Sequence, residues 1–162
     1  IVYMPQEPAF LNATIEENLR LANPDIDMDT LNRIVTAAGL REFIDESPNN
    51  FETLITDNGR QLAMGIRRRL ALARALASDG TLAIFDEPLE GMDAEGSEAV
   101  RTVIGQLASR RRTIIVLAHN PNIVRGAHAH IDLNVKPTPE VTILREAQKS
   151  ESATPPDTEA AQ

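Results

Sequence analysis

Short apolar runs alternate with amphipathic stretches in the second half of this chain. Residues 81–85 and 113–117 are apolar runs of strand length, and residues 94–109 between them carry apolar side chains at helical spacing. A strand, a helix and a second strand in this order predict a parallel sheet with helices on its faces. We therefore expect an α/β fold in this part of the chain.

The first half predicts one short strand followed by a helical block. Residues 1–4 have the pattern of a strand that Pro5 ends. A helix is expected next, with Asn12 or Thr14 as its cap. No strand pattern occurs between residues 13 and 45. Further helices are predicted over residues 29–38, 41–45 and 66–77.

The pattern becomes irregular towards the C-terminus. A short turn of helix is predicted over residues 122–125, and residues 131–135 and 141–144 are expected to pair as a hairpin. Residues 147–162 contain Ser, Thr, Pro, Glu and Gln with almost nothing apolar. Such a tail buries too little surface to offset the entropy of ordering it, so we expect it to be disordered.

The amino-acid composition and net charge exclude several classes of function. The formal net charge of -8 argues against nucleic acid as an electrostatic partner. The chain has no cysteine, which excludes disulfides, thiol catalysis and thiolate metal sites. The apolar runs are far shorter than the roughly 18 residues that a membrane-spanning helix needs.

Two adjacent carboxylates, Asp86 and Glu87, follow the apolar run 81–85. They are expected at the C-terminal edge of the parallel sheet, where α/β proteins bind ligands. In phosphoryl chemistry the first carboxylate can hold Mg²⁺, and the second can orient or deprotonate the attacking water. Taken alone, the pair fits equally well with Asp86 merely capping the following segment.

A histidine repeats this arrangement one strand later. His119 follows the run 113–117 and could donate a hydrogen bond to a phosphate oxygen, although a lone His here is often only a polar strand end. His128 and His130 have strand spacing, which suggests a metal site. They lack a third candidate ligand nearby, so the sequence favours no metal there.

Together these residues resemble the ATP-binding cassette (ABC) family, a P-loop NTPase-like α/β fold. The resemblance covers residues 1–144. In chain order the similar motifs are Tyr3-Met4-Pro5-Gln6-Glu7-Pro8 with the following Asn12-Ala13-Thr14-Ile15-Glu16-Glu17-Asn18-Leu19 (Q-loop), Gly59 to Leu76 (signature loop and helix), Asp86-Glu87 (Walker B), Glu90-Gly91-Met92-Asp93 (D-loop) and His119 (H-switch).

The resemblance implies a role for each matching residue. Catalysis would fall to Glu87, His119 and Gln6, and Mg²⁺ would be held by Asp86 and Gln6. ATP bound by an opposite protomer would be contacted by Ala63, Met64, Gly65, Ile66 and Asp93. The cofactors implied are therefore ATP and Mg²⁺.

The resemblance also implies an organisation and partners. Residues 1–146 would form a partial nucleotide-binding domain, with a helical subdomain over about 12–78 and core strands over about 81–146. The Thr-Ile-Glu-Glu-Asn-Leu stretch resembles exporters, including type I secretion systems. Implied partners are a second nucleotide-binding domain, as homo- or heterodimer, and the transmembrane domain of an exporter. This domain would hold the chain at the cytoplasmic face of the plasma membrane.

Two departures from the family pattern alter these expectations. The sequence contains no Gly-x-x-x-x-Gly-Lys-Ser/Thr phosphate loop, and its opening in mid-strand favours a fragment over a subunit that cannot bind nucleotide. Where the family reads Leu-Ser-Gly-Gly-Gln, the chain reads Leu62-Ala63-Met64-Gly65-Ile66. Losing the Ser hydroxyl is expected to cost about 1.5–3 kcal/mol of interaction with a bound phosphate.

Three arginines, Arg67, Arg68 and Arg69, open the predicted signature helix. One interpretation is a solvated face on which Arg69 packs its stem. The other is that one arginine replaces the lost Ser by reaching the γ-phosphate across the dimer. For the whole protein we expect ATP hydrolysis that energises export. The alternatives are a non-hydrolysing module that regulates a competent partner, and a remnant without a function of its own.

Overall fold

The computed structural model describes residues 1–78, 80–119, 123 and 126–144. The chain divides into two compact units, Ile1–Ile123 and Val124–Gln162. In chain order the elements are β1 (Val2–Met4), β2 (Ala13–Thr14), α1 (Ile15–Arg20), α2 (Met28–Ala37), α3 (Arg41–Glu46), β3 (Leu54–Ile55), α4 (Met64–Ala77), β4 (Leu82–Asp86), α5 (Ala94–Ser109), β5 (Thr113–Leu117), β6 (Ala129–Asp132) and β7 (Glu140–Ile143). Short 3-10 turns lie at Asn50–Glu52 and Asp57–Gly59.

The first unit contains the predicted parallel sheet. Strands β1, β4 and β5 run parallel in the order β1-β4-β5, and Asp86 at the end of β4 lies opposite Leu117 at the end of β5. Because parallel strands end at the same edge, the residues that follow them, Glu87 and His119, meet there. The predicted sheet is therefore confirmed.

The helical block packs on this sheet through α4. This helix consists largely of Ala, Leu and Arg, which are strong helix formers, and it contacts α1, α2, α5 and β1. Leu70, Leu72 and Leu76 are fully or almost fully buried. Helix α1 begins at Thr14, which confirms one of the two predicted caps: its hydroxyl accepts from the backbone N–H of Glu17, whose carboxylate accepts from the backbone N–H of Thr14.

Most predicted elements are confirmed to within a few residues, and α5 and β5 have the predicted bounds. The prediction that no strand lies in residues 13–45 is wrong. The two-residue strand β2 pairs antiparallel with β3, joining Ala13 to Ile55 and Thr14 to Leu54. Strands of two residues carry no alternation that a sequence pattern could show.

The second unit contains the predicted hairpin, in which β6 and β7 pair antiparallel. Strand β6 begins at Ala129, earlier than predicted, and His130 lies opposite Thr142. Within the described part of the chain no cluster of three or more His, Cys, Asp or Glu residues could hold a metal. Of the turn predicted over 122–125 only residue 123 is described, and the tail 147–162 lies outside the described residues.

None of the helices in the described ranges is long and apolar enough to cross a membrane.

Candidate functional site

Glu87 has an unusual backbone at the C-terminal edge of the sheet. Its φ is 45°, in the left-handed region that few non-glycine residues adopt. Its backbone N–H donates to the carbonyl of Leu117 (2.9 Å), and its own carbonyl accepts from Arg68 (3.1 Å). Backbone strain of this kind persists only where the surroundings hold it, and it is concentrated at functional sites.

The carboxylate of Glu87 is oriented by His119. Its Oε1 accepts from the backbone N–H of His119 (3.0 Å) and also contacts Nδ1 of the imidazole ring. The His119 side chain is otherwise almost wholly exposed, whereas the Glu87 side chain is mostly buried. A carboxylate fixed by two groups, with an open imidazole beside it, can position a water molecule and accept its proton.

Asp86 precedes Glu87 and is half-buried. Its Oδ2 accepts from the hydroxyl of Tyr3 on β1 at 3.2 Å. Partial burial and the neighbouring Asp86 carboxylate raise the pKa of Tyr3, so this hydroxyl keeps its proton and remains a donor. The hydrogen bond orients the Asp86 carboxylate at the edge of the sheet.

Gln6 lies after β1 and is bonded to the loop that follows β4. Its Nε2 donates to Oε2 of Glu90 at 2.6 Å. The hydrogen bond from Gln6 holds the pKa of Glu90 below its usual value. The hydrogen bond from Arg68 and the positive charge of Arg68 lower it further. Glu90 is therefore a carboxylate at neutral pH, which strengthens its bond to the Gln6 amide.

The three arginines of α4 do not form a solvated face: that interpretation is wrong for Arg68, whereas the burial of Arg69 agrees with the expected packing of its stem. Both are buried, and each binds the segment between β4 and α5. Arg68 donates to the carbonyls of Glu87 and Glu90 and to the Glu90 carboxylate (3.4 Å). Arg69 donates to the carbonyl of Gly39 and to the carboxylates of Asp93 and Glu95. Arg67 donates to the carbonyl of Pro8 at 2.8 Å. These intramolecular contacts give no support to the alternative in which one arginine reaches the γ-phosphate of a second domain.

The altered signature forms the start of α4. Ala63 is the N-cap residue and makes no side-chain cap bond, Met64 is exposed, and Ile66 packs against the core. A Cβ added at Gly65 would meet open space, so no other part of the described chain packs against this position. Such a helix start favours anions.

Asp93 caps α5. Its Oδ1 accepts from the backbone N–H of Gly96 at 2.7 Å and from Arg69 at 2.9 Å, and these two bonds lower the pKa of Asp93. The carboxylate thus has a structural task, while its predicted contact with ATP stays a prediction.

The oxygen groups at this edge suit Mg²⁺. The ion typically takes one or two protein carboxylates and completes its shell with phosphates and water. Asp86 offers a carboxylate, and Gln6 offers its amide Oε1, since its Nε2 is engaged by Glu90. These hard oxygen donors fit Mg²⁺ provided that phosphate oxygens supply further ligands.

Sequence reasoning missed Tyr3 as a site residue. Tyr3 pairs with Ile84, and Asp86 follows two residues later, so Tyr3 and Asp86 share one face of neighbouring strands. A polar residue in an otherwise apolar strand was the available signal. The sequence places Glu90 only within a loop motif, because its partner Gln6 is 84 positions away.

Comparisons with known proteins identify the family to which the chain belongs. A family model described as "ABC transporter" matches residues 1–90. The chain is 34% identical over 128 residues to human "ATP-binding cassette sub-family B member 5", covering 79% of the chain and 10% of the relative. It is 35% identical over 131 residues to mouse "Mitochondrial potassium channel ATP-binding subunit", covering 81% of the chain and 18% of the relative.

A solved structure supports the fold. The chain matches a "bacterial Atm1-family ABC exporter with ATP bound" with a TM-score of 0.72 and 23% identity, covering 80% of this chain and 23% of that one. The chain belongs to the ABC transporter family, and its fold is that of part of the ATP-binding domain of exporter-type proteins. It spans only a tenth to a fifth of the relatives above.

Proposed function

We propose that this chain supplies the hydrolytic edge of an ATP site whose turnover energises an ABC exporter. The observation that carries the proposal is Glu87, a strained residue whose carboxylate is fixed by His119. In this role Glu87 accepts the proton of the attacking water, and His119 holds the carboxylate and faces the phosphate side. The support is the combination of a fixed base with a neighbouring metal-type carboxylate, Asp86.

Asp86 and Gln6 would hold Mg²⁺ in the complete site. Bound Mg²⁺ bridges phosphate oxygens and neutralises their charge. Tyr3 keeps the Asp86 carboxylate in one orientation for this task. The phosphate loop, which this sequence does not contain, would complete the site.

The partners follow from the same proposal. A second nucleotide-binding domain would place its bound ATP against the start of α4, where the space beside Gly65 is open and a helix N-terminus favours phosphate. A transmembrane domain would hold the protein at the cytoplasmic face of the membrane and select the exported substrate. Type I secretion is the narrower possibility that the Thr-Ile-Glu-Glu-Asn-Leu stretch favours. The relatives give no support to a non-hydrolysing regulatory module.

The proposed function is tested by measuring whether the full-length protein hydrolyses ATP without a second ATPase. The full-length protein, purified without any other ATPase, is expected to release phosphate from ATP, and removing Mg²⁺ with EDTA is expected to abolish this release. Added Mg²⁺ should restore it, because the Asp86 carboxylate and the phosphates need the metal between them. Phosphate release that required a second ATPase would contradict the proposal.

The altered signature gives a second prediction. Replacing Ala63 by Ser is expected to stabilise α4 by about 1 kcal/mol, because the new hydroxyl can accept a backbone N–H at a helix start that has no side-chain cap. The same hydroxyl is expected to tighten ATP-driven dimerisation by about tenfold. Thermal unfolding and light scattering measure the two effects.

Ala63→Gly is the matched control for this prediction. Glycine is also accepted at an N-cap, but it offers no hydroxyl to a phosphate. Equal dimerisation of the Ser and Gly variants would show that the Ser hydroxyl does not contact ATP.

A further inference from the structure

Glu90 connects three separate parts of the first unit. It lies in the loop between β4 and α5, and its Oε2 accepts from Gln6 after β1 and from Arg68 on α4. The two partners differ in burial, because Gln6 is exposed at the site and Arg68 is almost fully buried. One carboxylate oxygen therefore joins the Q-loop, the D-loop and the signature helix.

Arg68 fixes the loop from which Glu90 reaches Gln6. Its guanidinium donates to the carbonyls of both Glu87 and Glu90, the two ends of a short turn. The turn is closed further by the backbone bond from Glu90 N–H to the Glu87 carbonyl (3.1 Å). Arginine is suited to this task because its planar fork can bind several oxygens at once. The position of the Glu90 carboxylate is therefore set by a buried group.

The bond to Glu90 decides which end of the Gln6 amide is available. An amide presents an NH₂ donor on one side and a carbonyl acceptor on the other. The Glu90 carboxylate accepts from the Nε2 end at 2.6 Å, which leaves Oε1 as the end for a metal or a water molecule. The reversed orientation would set the Gln6 oxygen against the Glu90 carboxylate, which is repulsive.

We propose that Glu90 is a positioning residue that holds the Gln6 amide with its oxygen directed to the reacting centre. This proposal rests on the function proposed above, in which Gln6 acts on Mg²⁺ and the attacking water. Glu90 itself touches neither group. It acts through Gln6, and its effect should disappear when Gln6 is absent.

The main experiment replaces Glu90 by Ala in the full-length protein and measures steady-state ATP hydrolysis. We expect kcat to fall by about tenfold to a hundredfold, which corresponds to losing one hydrogen bond to a charged group. KM for ATP should change by less than about twofold, since the lost interaction matters in the transition state. Glu90→Gln keeps an acceptor for Gln6 without the charge, and should restore part of the lost kcat.

Glu95→Ala is the matched control. Glu95 is also an exposed carboxylate that accepts from a buried arginine of α4, Arg69, at 3.4 Å. It makes no bond to Gln6 among the described contacts. We expect this variant to keep the wild-type kcat. A fall in kcat equal to that of Glu90→Ala would overturn the proposal, because loss of any arginine partner would then explain both.

A double-mutant cycle tests whether Glu90 acts through Gln6. If it does, Gln6→Ala with Glu90→Ala is no slower than Gln6→Ala alone. Independent, multiplying effects would overturn the proposal. A readout without turnover is hydrogen exchange of the nucleotide-free protein, in which Glu90→Ala should speed exchange around Gln6 and Glu95→Ala should not. Unchanged exchange in both variants would count against Glu90.

The proposed function and the role of Glu90 can be disproved separately. A full-length protein without ATPase activity, or a Gln6→Ala variant with the wild-type kcat, would overturn the proposed function and the role of Glu90 with it. An active protein in which Gln6→Ala lowers kcat and Glu90→Ala does not would overturn only the role of Glu90.

Discussion

Replacing Glu87 by Gln in the full-length protein is expected to reduce ATP turnover by about a hundredfold or more while ATP binding persists. The amide keeps the shape of the side chain and can still accept from the His119 backbone N–H, which is 3.0 Å from Oε1 in the wild type. It cannot take the proton of the attacking water. Phosphate release and equilibrium binding of a fluorescent ATP analogue measure the two quantities.

The control for this prediction is Glu98→Gln. Glu98 is an exposed carboxylate on α5, and its ion-pair partner, Arg101 at 3.5 Å, is exposed as well. Exposed pairs of this kind contribute little, so this variant should hydrolyse ATP at the wild-type rate. If Glu87→Gln also hydrolysed ATP at that rate, Glu87 would not be the base, and its positive φ would need another explanation.

Replacing Asn18 by Ala is expected to destabilise the first unit by about 3 kcal/mol. Asn18 is fully buried, and its amide holds the segment between the Q-loop and α1. Its Oδ1 accepts from the backbone N–H of Leu11 (2.9 Å) and from Arg74 (2.6 Å), and its Nδ2 donates to the carbonyl of Leu11 (3.0 Å). Alanine would remove all three of these bonds at a fully buried position.

Arg74 makes this loss more severe. Burial lowers the pKa of Arg74 to about 10, so the guanidinium stays charged at neutral pH but has lost much of its hydration. It lies over the ring of Phe10 (4.4 Å to the centroid) and donates to the carbonyl of Ala9 (2.8 Å). Removing the Asn18 acceptor leaves a partly desolvated charge with fewer partners, which is costly.

Asn32→Ala is the matched control for the stability measurement. Asn32 also accepts from an arginine, Arg41 at 2.8 Å, and donates to a carbonyl, that of Met28 at 3.0 Å. It is only partly buried, so water can replace both partners, and we expect a cost below about 1 kcal/mol. Denaturant midpoints of the full-length protein compare the two variants. Equal midpoints would contradict the structural role of Asn18.

The pattern of apolar and polar residues was enough to predict the helices and strands that depend only on residues within the element itself. Helix α5 follows from apolar side chains at helical spacing and from the Asp93 cap, and β5 follows from a run of β-branched residues. The β2–β3 pair could not be predicted this way. Each strand has two residues, and their pairing depends on a chain reversal of some forty positions.

The arginines of α4 show a second limit. A cationic triplet at the start of a helix is usually solvated, yet Arg68 and Arg69 are buried under the loop between β4 and α5. Their buried guanidinium groups are stabilised by hydrogen bonds to carbonyl and carboxylate oxygens of residues 19 to 30 positions away, such as Glu87 and Gly39. Helical periodicity contains no information about such partners.

The sequence by itself determined the family and the chemistry that its motifs make available. Asp86 and Glu87 after one apolar strand, and His119 after the next, had to meet at one edge because parallel strands end together. Only the tertiary structure decided how the side chains pair, with Tyr3 on Asp86, His119 on Glu87 and Gln6 on Glu90. These partners are 32 to 84 positions apart, and packing of the sheet and of α4 brings them into contact.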